Sequence, residues 1–279
     1  MVDLTQPLEG LIYEKKDHIA YITLNRPDRA NALHSSMVEP IKAIWAEVRD
    51  DPWIRCAIVT AAGERHFCTG ADVGAVASRG RVAAGRGPLT EEVFWSPRQN
   101  RVWKPVICAL NGTVAGAGLH FVVDSDIIVA ANTVKVVDTH VNVGMVGAIE
   151  NIGLTKRLPL GSALRLTLQG RNYRMTAERA YNLGLFDELC EPEDLMATAE
   201  EIAHDICKNS PAAVTLSQQA LWGALEMSYR DSMEYGWALI RMHWDHPDMA
   251  EGPKAFMEGR DPVWVTGEED PDGEASDDG

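Results

Sequence analysis

No run in the sequence approaches the ~20 consecutive apolar residues that span a bilayer, so no membrane-crossing helix is expected. The opening residues, "MVDLTQPLEG", offer neither a basic start nor an apolar stretch. That argues against a secretory leader and gives a cytoplasmic expectation. Cysteine is sparse: Cys56, Cys68, Cys108, Cys190 and Cys207 are an odd number with no CxxC or CxxH spacing. The pattern speaks against a disulfide framework or a zinc cluster and suits reduced, buried thiols. Basic residues are also short, 26 Lys and Arg against 41 Asp and Glu, and the net charge of −15 disfavours a nucleic acid partner. No GxGxxG follows the first strand-like segment, which removes the main signature of dinucleotide redox chemistry. Neither a zinc framework nor a dinucleotide redox cofactor is expected.

What is present is a globular composition, 46% hydrophobic over 279 residues, enough for a sizeable core. Part of the acidity is local. The closing "GEEDPDGEASDDG" has no base and no apolar residue larger than alanine, and residues 266–279 are expected to form a disordered acidic tail.

Periodicity separates two kinds of chain. "LIYEKKDHIAYITLNRP" alternates as two strands around a turn near Lys16-Asp17. "SSMVEPIKAIWAEVRDD" repeats Met37, Ile41, Ile44, Trp45 and Val48 at helical spacing, with Ser35 or Ser36 as N-cap. "RCAIVTA" is a short continuous apolar run, the mark of a strand buried on both faces, and "PVICAL", "DIIVAA" and "VKVVDT" supply further strands. "LTEEVFWSPRQNRVW" is expected to include helix. Strand, glycine-bearing turn and helix recur, which predicts an α/β fold with ligands at strand ends. From about residue 190 the pattern is helical, including one long stretch from Ala212 to Met242. The expected organisation is therefore a core over 1–190, a helical region over 191–265 and the tail.

Five pieces, "NRPDRANAL", "AIVTAAGERHFCTGADV", the loop Ala109–Gly118, "DSDIIVAA" and "AFMEGRDPVW", stand in one order and spacing from about residue 10 to residue 264. In these the chain resembles the crotonase superfamily, the enoyl-CoA hydratase/isomerase family. The resemblance implies a spiral of ββα units with a C-terminal helical trimerisation region, assembled as a homotrimer or hexamer. It also implies an acyl-CoA thioester substrate, with coenzyme A entering only as part of that substrate. It places an oxyanion hole at two backbone N–H groups, those of Ala71 and Ala117, where a thioester enolate is stabilised. Gly-rich turns leading toward helices are where unpaired N–H groups collect, which agrees. Contacts to CoA are implied along Arg29, Ala30, Asn31, Asp72 and Val73. Further contacts come from Phe256 of a neighbouring subunit, with Arg260 or Lys254 meeting the phosphates because Gly259 occupies the family's lysine position.

One departure stands out. Hydratases of this family use two glutamates, and here those positions carry His120 and His140. An imidazole titrates near neutral pH and can serve as acid or base. Two titratable replacements at both positions point to function rather than to two buried core histidines. Glu150, ten residues after His140, is a third candidate; Asp124, Asp126 and Asp138 are acids nearby, Asp126 in a structural position. His18, His34 and His66 fall in turns and are expected to be solvated.

With the resemblance, these residues suggest an acyl-CoA enzyme, a lyase, isomerase or hydrolase, in which His140 or His120 acts as general base with Glu150 orienting it or shuttling the proton. Hydrolytic carbon–carbon cleavage of a cyclic keto-acyl-CoA and double-bond isomerisation both fit such a set. So does a non-catalytic relative that only binds acyl-CoA.

Overall fold

The computed structural model describes residues 2–72, 74, 77–78 and 87–266. Val73 and the acidic stretch 267–279, for which a CoA contact and disorder were expected, lie outside the described residues.

Leu11–Lys16 (β1) and Ile19–Leu24 (β2) pair antiparallel, with Lys16 opposite Ile19. The two-residue turn between them puts Asp17 and His18 at φ 52° and 64°, the left-handed pair that matches strand twist in a tight hairpin. The apolar runs Cys56–Ala61 (β3), Val106–Leu110 (β5) and Ile127–Ala131 (β7) then join β2 in parallel. With Glu188–Cys190 (β10) they complete a six-stranded sheet ordered β1-β2-β3-β5-β7-β10.

Successive side chains along these strands face opposite sides, and both sides are covered. Ala57, Val59, Cys108 and Leu110 share one core with Ile41, Ile44, Trp45 and Val48 of the helix Val38–Asp50 (α1). Ile58, Ile107, Ala109 and Val129 point the other way and meet Leu195, Ala199, Ala203 and Cys207. Those four residues form the inner face of a later helix, Leu195–Cys207.

After β3, β5 and β7 the chain turns into a second sheet. His66–Cys68 (β4), Thr113–Ala115 (β6) and Lys135–Val137 (β8) run parallel, and Met175–Thr176 (β9) closes the edge antiparallel to β8. Short helices follow β6 and β8: Leu119–Asp124 (α2) and Ile149–Leu154 (α3). Each strand pair thus gives one strand to each sheet, the ββα spiral that the resemblance implied.

The remaining long helices are Leu160–Gln169 (α4), Leu195–Cys207 (α5), Pro211–Ala224 (α6), Tyr229–His243 (α7) and Asp248–Glu258 (α8). The helical stretch expected from Ala212 to Met242 is a hairpin of α6 and α7. Ser228 starts a new helix, its hydroxyl accepting from the Asp231 N–H at 3.2 Å. "LTEEVFWSPRQNRVW" is helical only over Leu89–Glu92 and in a 3-10 turn at Arg98–Asn100. Pro97 disfavours helical Ser96. The N–H groups of Trp95 and Ser96 bond instead to the Gln99 side chain, at 2.9 and 3.3 Å.

Helix α6 buries no residue fully and α7 only Leu239. They are tied to the core through Asp126, which accepts from the Val106 N–H (2.8 Å), Gln218 Nε2 (2.7 Å) and Trp222 Nε1 (2.6 Å). Leu221, Met233, Trp237, Ile240 and Met242 remain exposed on this hairpin.

Candidate active site

Three adjacent parallel strands of the smaller sheet, β4, β6 and β8, end on the same side. The residues leaving those ends are Thr69-Gly70-Ala71, Gly116-Ala117 and Asp138-Thr139-His140. Neighbouring strands lie ~4.8 Å apart, so the sheet sets the spacing of whatever its ends carry. The first two ends come closer still. Gly70 has φ +90°, and a Cβ there would meet the Ala117 nitrogen at 2.9 Å and the Ala115 oxygen at 3.1 Å. Only a residue without a side chain lets these two peptides approach in this way.

A bridge between Leu33 and Ala71 uses the Gly70 carbonyl and the Asp72 N–H (2.8 and 3.0 Å), which leaves the Ala71 N–H outside it. The Ala117 N–H opens a 3-10 turn, Gly116–Gly118, and so lacks an intrahelical acceptor. Ala71 and Ala117 line one cavity of ≈ 650 Å³ together with His120, His140 and Glu150. Two N–H groups placed in this way can polarise a carbonyl oxygen.

The third strand end carries the charge. Asp138, wholly buried, accepts from the His140 backbone N–H (3.0 Å), from His140 Nδ1 (2.7 Å) and from Asn151 Nδ2 (2.6 Å). Gly147 makes room for this, since a Cβ there would stand 2.9 Å from Asp138 Oδ2. On its other side the His140 ring donates from Nε2 to Glu150 Oε1 at 3.0 Å. Glu150 sits in the first turn of α3, where the helix dipole favours a carboxylate.

Hydrogen bonds to Asp138 and Glu150 outweigh burial and push the His140 pKa up to about 10. Its ring is therefore an imidazolium at neutral pH, with both nitrogens donating. Burial pushes the Asp138 and Glu150 carboxyls up, but the bonds from His140 win and both end below their usual values.

His120 differs. It lies within α2, all of whose neighbouring side chains from Leu119 to Val123 are buried, and it is itself buried. Burial holds its pKa down, against the pull of Glu150 and Asp124, so the ring is neutral. Its Nδ1 lies 2.9 Å from Gln99 Nε2, and its Nε2 lies 3.6 Å from Glu150 Oε2, beyond ordinary hydrogen-bond length. Glu150 thus stands between a charged and a neutral imidazole, and the structure brings all three candidates to one wall.

The expected CoA-contact residues are less concentrated. Ala30 and Asn31 line a separate hollow of ≈ 330 Å³, and Arg29 is exposed beside it. Asn31 is a strut: its side chain accepts from the Arg26 N–H (2.8 Å) and donates to the Ala62 and His66 carbonyls (2.9 and 2.8 Å). The Asp72 side chain is held 3.3 Å from Arg26. Phe256 is 88% exposed, and Arg260 is held by Glu251 and Glu258 on and around α8. Neither is among the described residues lining the larger cavity.

Three histidines expected in solvent are partly buried. His18 donates to the Trp53 carbonyl (2.9 Å), His66 lies in β4, and His34 lines the cavity with Nδ1 2.9 Å from Ser36 Oγ. They were misplaced because strand and loop edges pack under neighbouring segments that a local reading does not see. Gln99 and the Phe94–Trp95 wall of the cavity were likewise not singled out. A single sequence carries no signal for an amide 21 residues from its partner.

The family description enoyl-CoA hydratase/isomerase matches residues 14–267. The chain is 32% identical over 255 residues to the (E)-benzylidenesuccinyl-CoA hydratase of Thauera aromatica, covering 90% of this chain and 97% of that protein. It is 30% identical over 258 residues to the short-chain-enoyl-CoA hydratase of Clostridium acetobutylicum, covering 91% and 96%. The crystal structure of an enoyl-CoA hydratase/isomerase from Mycobacterium paratuberculosis superposes with a TM-score of 0.85 at 34% identity, over 93% of this chain and all of that one. A match of this extent, on a ββα spiral with its cavity at the strand ends, makes this chain a member of the enoyl-CoA hydratase/isomerase family, with the crotonase fold.

Proposed function

We propose that the chain adds water to an acyl-CoA whose thioester carbonyl is held by the Ala71 and Ala117 N–H groups. The observation that carries this reading is Glu150, a carboxylate bonded to His140 and facing His120 at the wall of the cavity that holds both N–H groups. Glu150 Oε2 lies 3.6 Å from His120 Nε2, too far for a full hydrogen bond, which leaves this oxygen able to accept from a water on the cavity side. Glu150 takes a proton from that water as it attacks. The enolate that develops on the thioester is stabilised by the two N–H groups. His140, charged and donating, returns a proton to the α-carbon. The upward shift of His140 supports a proton donor rather than the base that the residue types alone suggest. His120, neutral, supplies a hydrogen bond to the water or to the acyl group. A homotrimer, or a hexamer of two trimers, is the assembly we expect, built on the exposed apolar residues of α6 and α7.

The histidines favour one second reading. With a ketone at the β-position, water delivered by the same group attacks that carbonyl, and the carbon–carbon bond breaks to release the enolate into the same pair of N–H groups. An assay of crotonyl-CoA hydration beside a panel of cyclic keto-acyl-CoAs separates the two. Hydration with no ring opening supports the first and ring opening the second. Brisk turnover of crotonyl-CoA that survives Glu150→Gln overturns the proposed proton transfers for both.

A further inference from the structure

We propose that Gln99 is a positioning residue that fixes His120 as the Nε2–H tautomer, so that an N–H and not a lone pair faces Glu150 and the cavity. The argument starts from the amide's other end. Gln99 Oε1 lies 2.9 Å from the Trp95 N–H and 3.3 Å from the Ser96 N–H, and both are donors only. The oxygen of the amide must therefore point at them, which turns its NH2 toward His120 Nδ1 at 2.9 Å. An NH2 group cannot accept, so Nδ1 must be the unprotonated nitrogen. A neutral imidazole then carries its one proton on Nε2, the atom aimed at Glu150.

A second contact keeps the amide in place. Ser96, three residues before Gln99, bonds through its hydroxyl to Asp124, which lies one helical turn after His120 on α2. Two residues of one loop thus grip two residues of one helix face. The loop cannot slide along α2 without breaking both contacts. Phe94 and Trp95 precede this grip and line the cavity, so the tautomer and the cavity wall are fixed by one side chain.

The charged and titratable groups facing His120 are Glu150 on α3, Asp124 on its own helix and His140 after β8. Two carboxylates against one imidazolium would draw a second proton onto His120. The Gln99 donor opposes this, because a protonated Nδ1 would face an NH2 group. Replacing that donor by a carboxylate of the same shape reverses the preference.

The test is Gln99→Glu, whose carboxylate still accepts from Trp95 and Ser96, examined by ring-nitrogen NMR of the full-length, histidine-labelled protein, with His120→Asn to assign the signals. The wild type is expected to show an unprotonated Nδ1 and a protonated Nε2 for His120 at pH 7. Gln99→Glu is expected to show both nitrogens protonated. Gln99→Met, which keeps the volume and removes both hydrogen-bonding ends, is expected to show a mixture of tautomers. With turnover established, Gln99→Glu should lower kcat about tenfold or more at little change in KM and displace the pH profile, and Gln99→Met should lower kcat without displacing it. A wild-type His120 protonated on Nδ1, or ring signals unaltered by Gln99→Glu, overturns the proposal. The NMR readout needs no substrate, so failure of the proposed reaction leaves this test standing.

Discussion

Glu150 lies between two imidazoles of opposite character, 3.0 Å from the charged ring of His140 and 3.6 Å from the neutral ring of His120. A carboxylate so placed keeps one oxygen bonded and one oxygen facing the cavity. Glu150→Gln preserves the shape and removes the proton acceptor. We expect kcat to fall by roughly 10²–10⁴ with the fold intact, as measured by steady-state turnover and circular dichroism. Unchanged kcat would remove Glu150 from the chemistry.

The His140 pair also sets how stability depends on pH. Folding raises its pKa from 6.5 to about 10, so the folded state keeps a proton that the unfolded chain gives up above 6.5. The stability from this source is complete below pH 6.5 and is lost as pH climbs through 10. Asp138 and Glu150 act at the other end. Their folded values lie below 3.8 and 4.5, so their contribution is present above those values and is lost as acid protonates them. The melting temperature of the wild type should therefore fall from pH 7 to pH 10. His140→Gln should be less stable at pH 7 by about 3 kcal/mol, because Asp138 loses its charged partner, and its melting temperature should show a shallower decline. Parallel declines in the two proteins would mean that His140 is not charged.

Gly70 tests the two N–H groups without replacing either residue that bears them. A methyl at Gly70 would stand 2.9 Å from the Ala117 nitrogen, at a φ of +90° that alanine resists. Gly70→Ala should spread the pair and lower kcat/KM by ~10²-fold. Titration with a non-reactive acyl-CoA analogue separates lost catalysis from lost binding. Retention of full activity would falsify a role for these donors.

Asp126 ties both Gln218 and Trp222 to the core strands, and the Lys104 carbonyl is a further acceptor for Gln218 Nε2 at 3.2 Å. Asp126→Ala leaves the Val106 N–H and Trp222 Nε1 without their acceptor, at a cost of about 1–3 kcal/mol. Hydrogen exchange across 211–224 should accelerate more than across β3 or β5. Uniform acceleration throughout the chain would place the anchor elsewhere.

For assembly, sedimentation of the wild type should give a trimer or twice that mass. Trp237, half exposed on α7 and edge-on to Trp244 at 5.2 Å, is the residue to change. Trp237→Glu should shift the species toward monomer. A monomeric wild type would leave the apolar surface of this hairpin without the partner proposed for it.

Much of the architecture was legible because strands buried on both faces must be apolar throughout. Ile58 and Val59 point to opposite cores, and the sequence around them has no polar face to spare. That Ala71, Ala117, His120 and His140 share one cavity agrees with the resemblance that singled them out. Their electrostatics were not legible. Asp138 stands two residues before His140 in sequence, as many acids do, and only its complete burial and its bond to Asn151 make it a fixed counter-charge. Gln99 was invisible for the same reason. Its segment looked helical, and the helix was lost because the amide itself took the N–H groups a helix would have used.

In the proposed chemistry the strand ends β4, β6 and β8 act as a ruler laid across the substrate. The Ala71 and Ala117 N–H groups leave the first two ends, and His140 leaves the third, one strand spacing of ~4.8 Å farther along. A carbon two bonds beyond a thioester carbon falls within that spacing, and a carbon several bonds farther does not. For the proposed chemistry this selects by distance rather than by shape. The long or bulky remainder of an acyl chain is free to differ between substrates, while the bond that changes must remain next to the thioester.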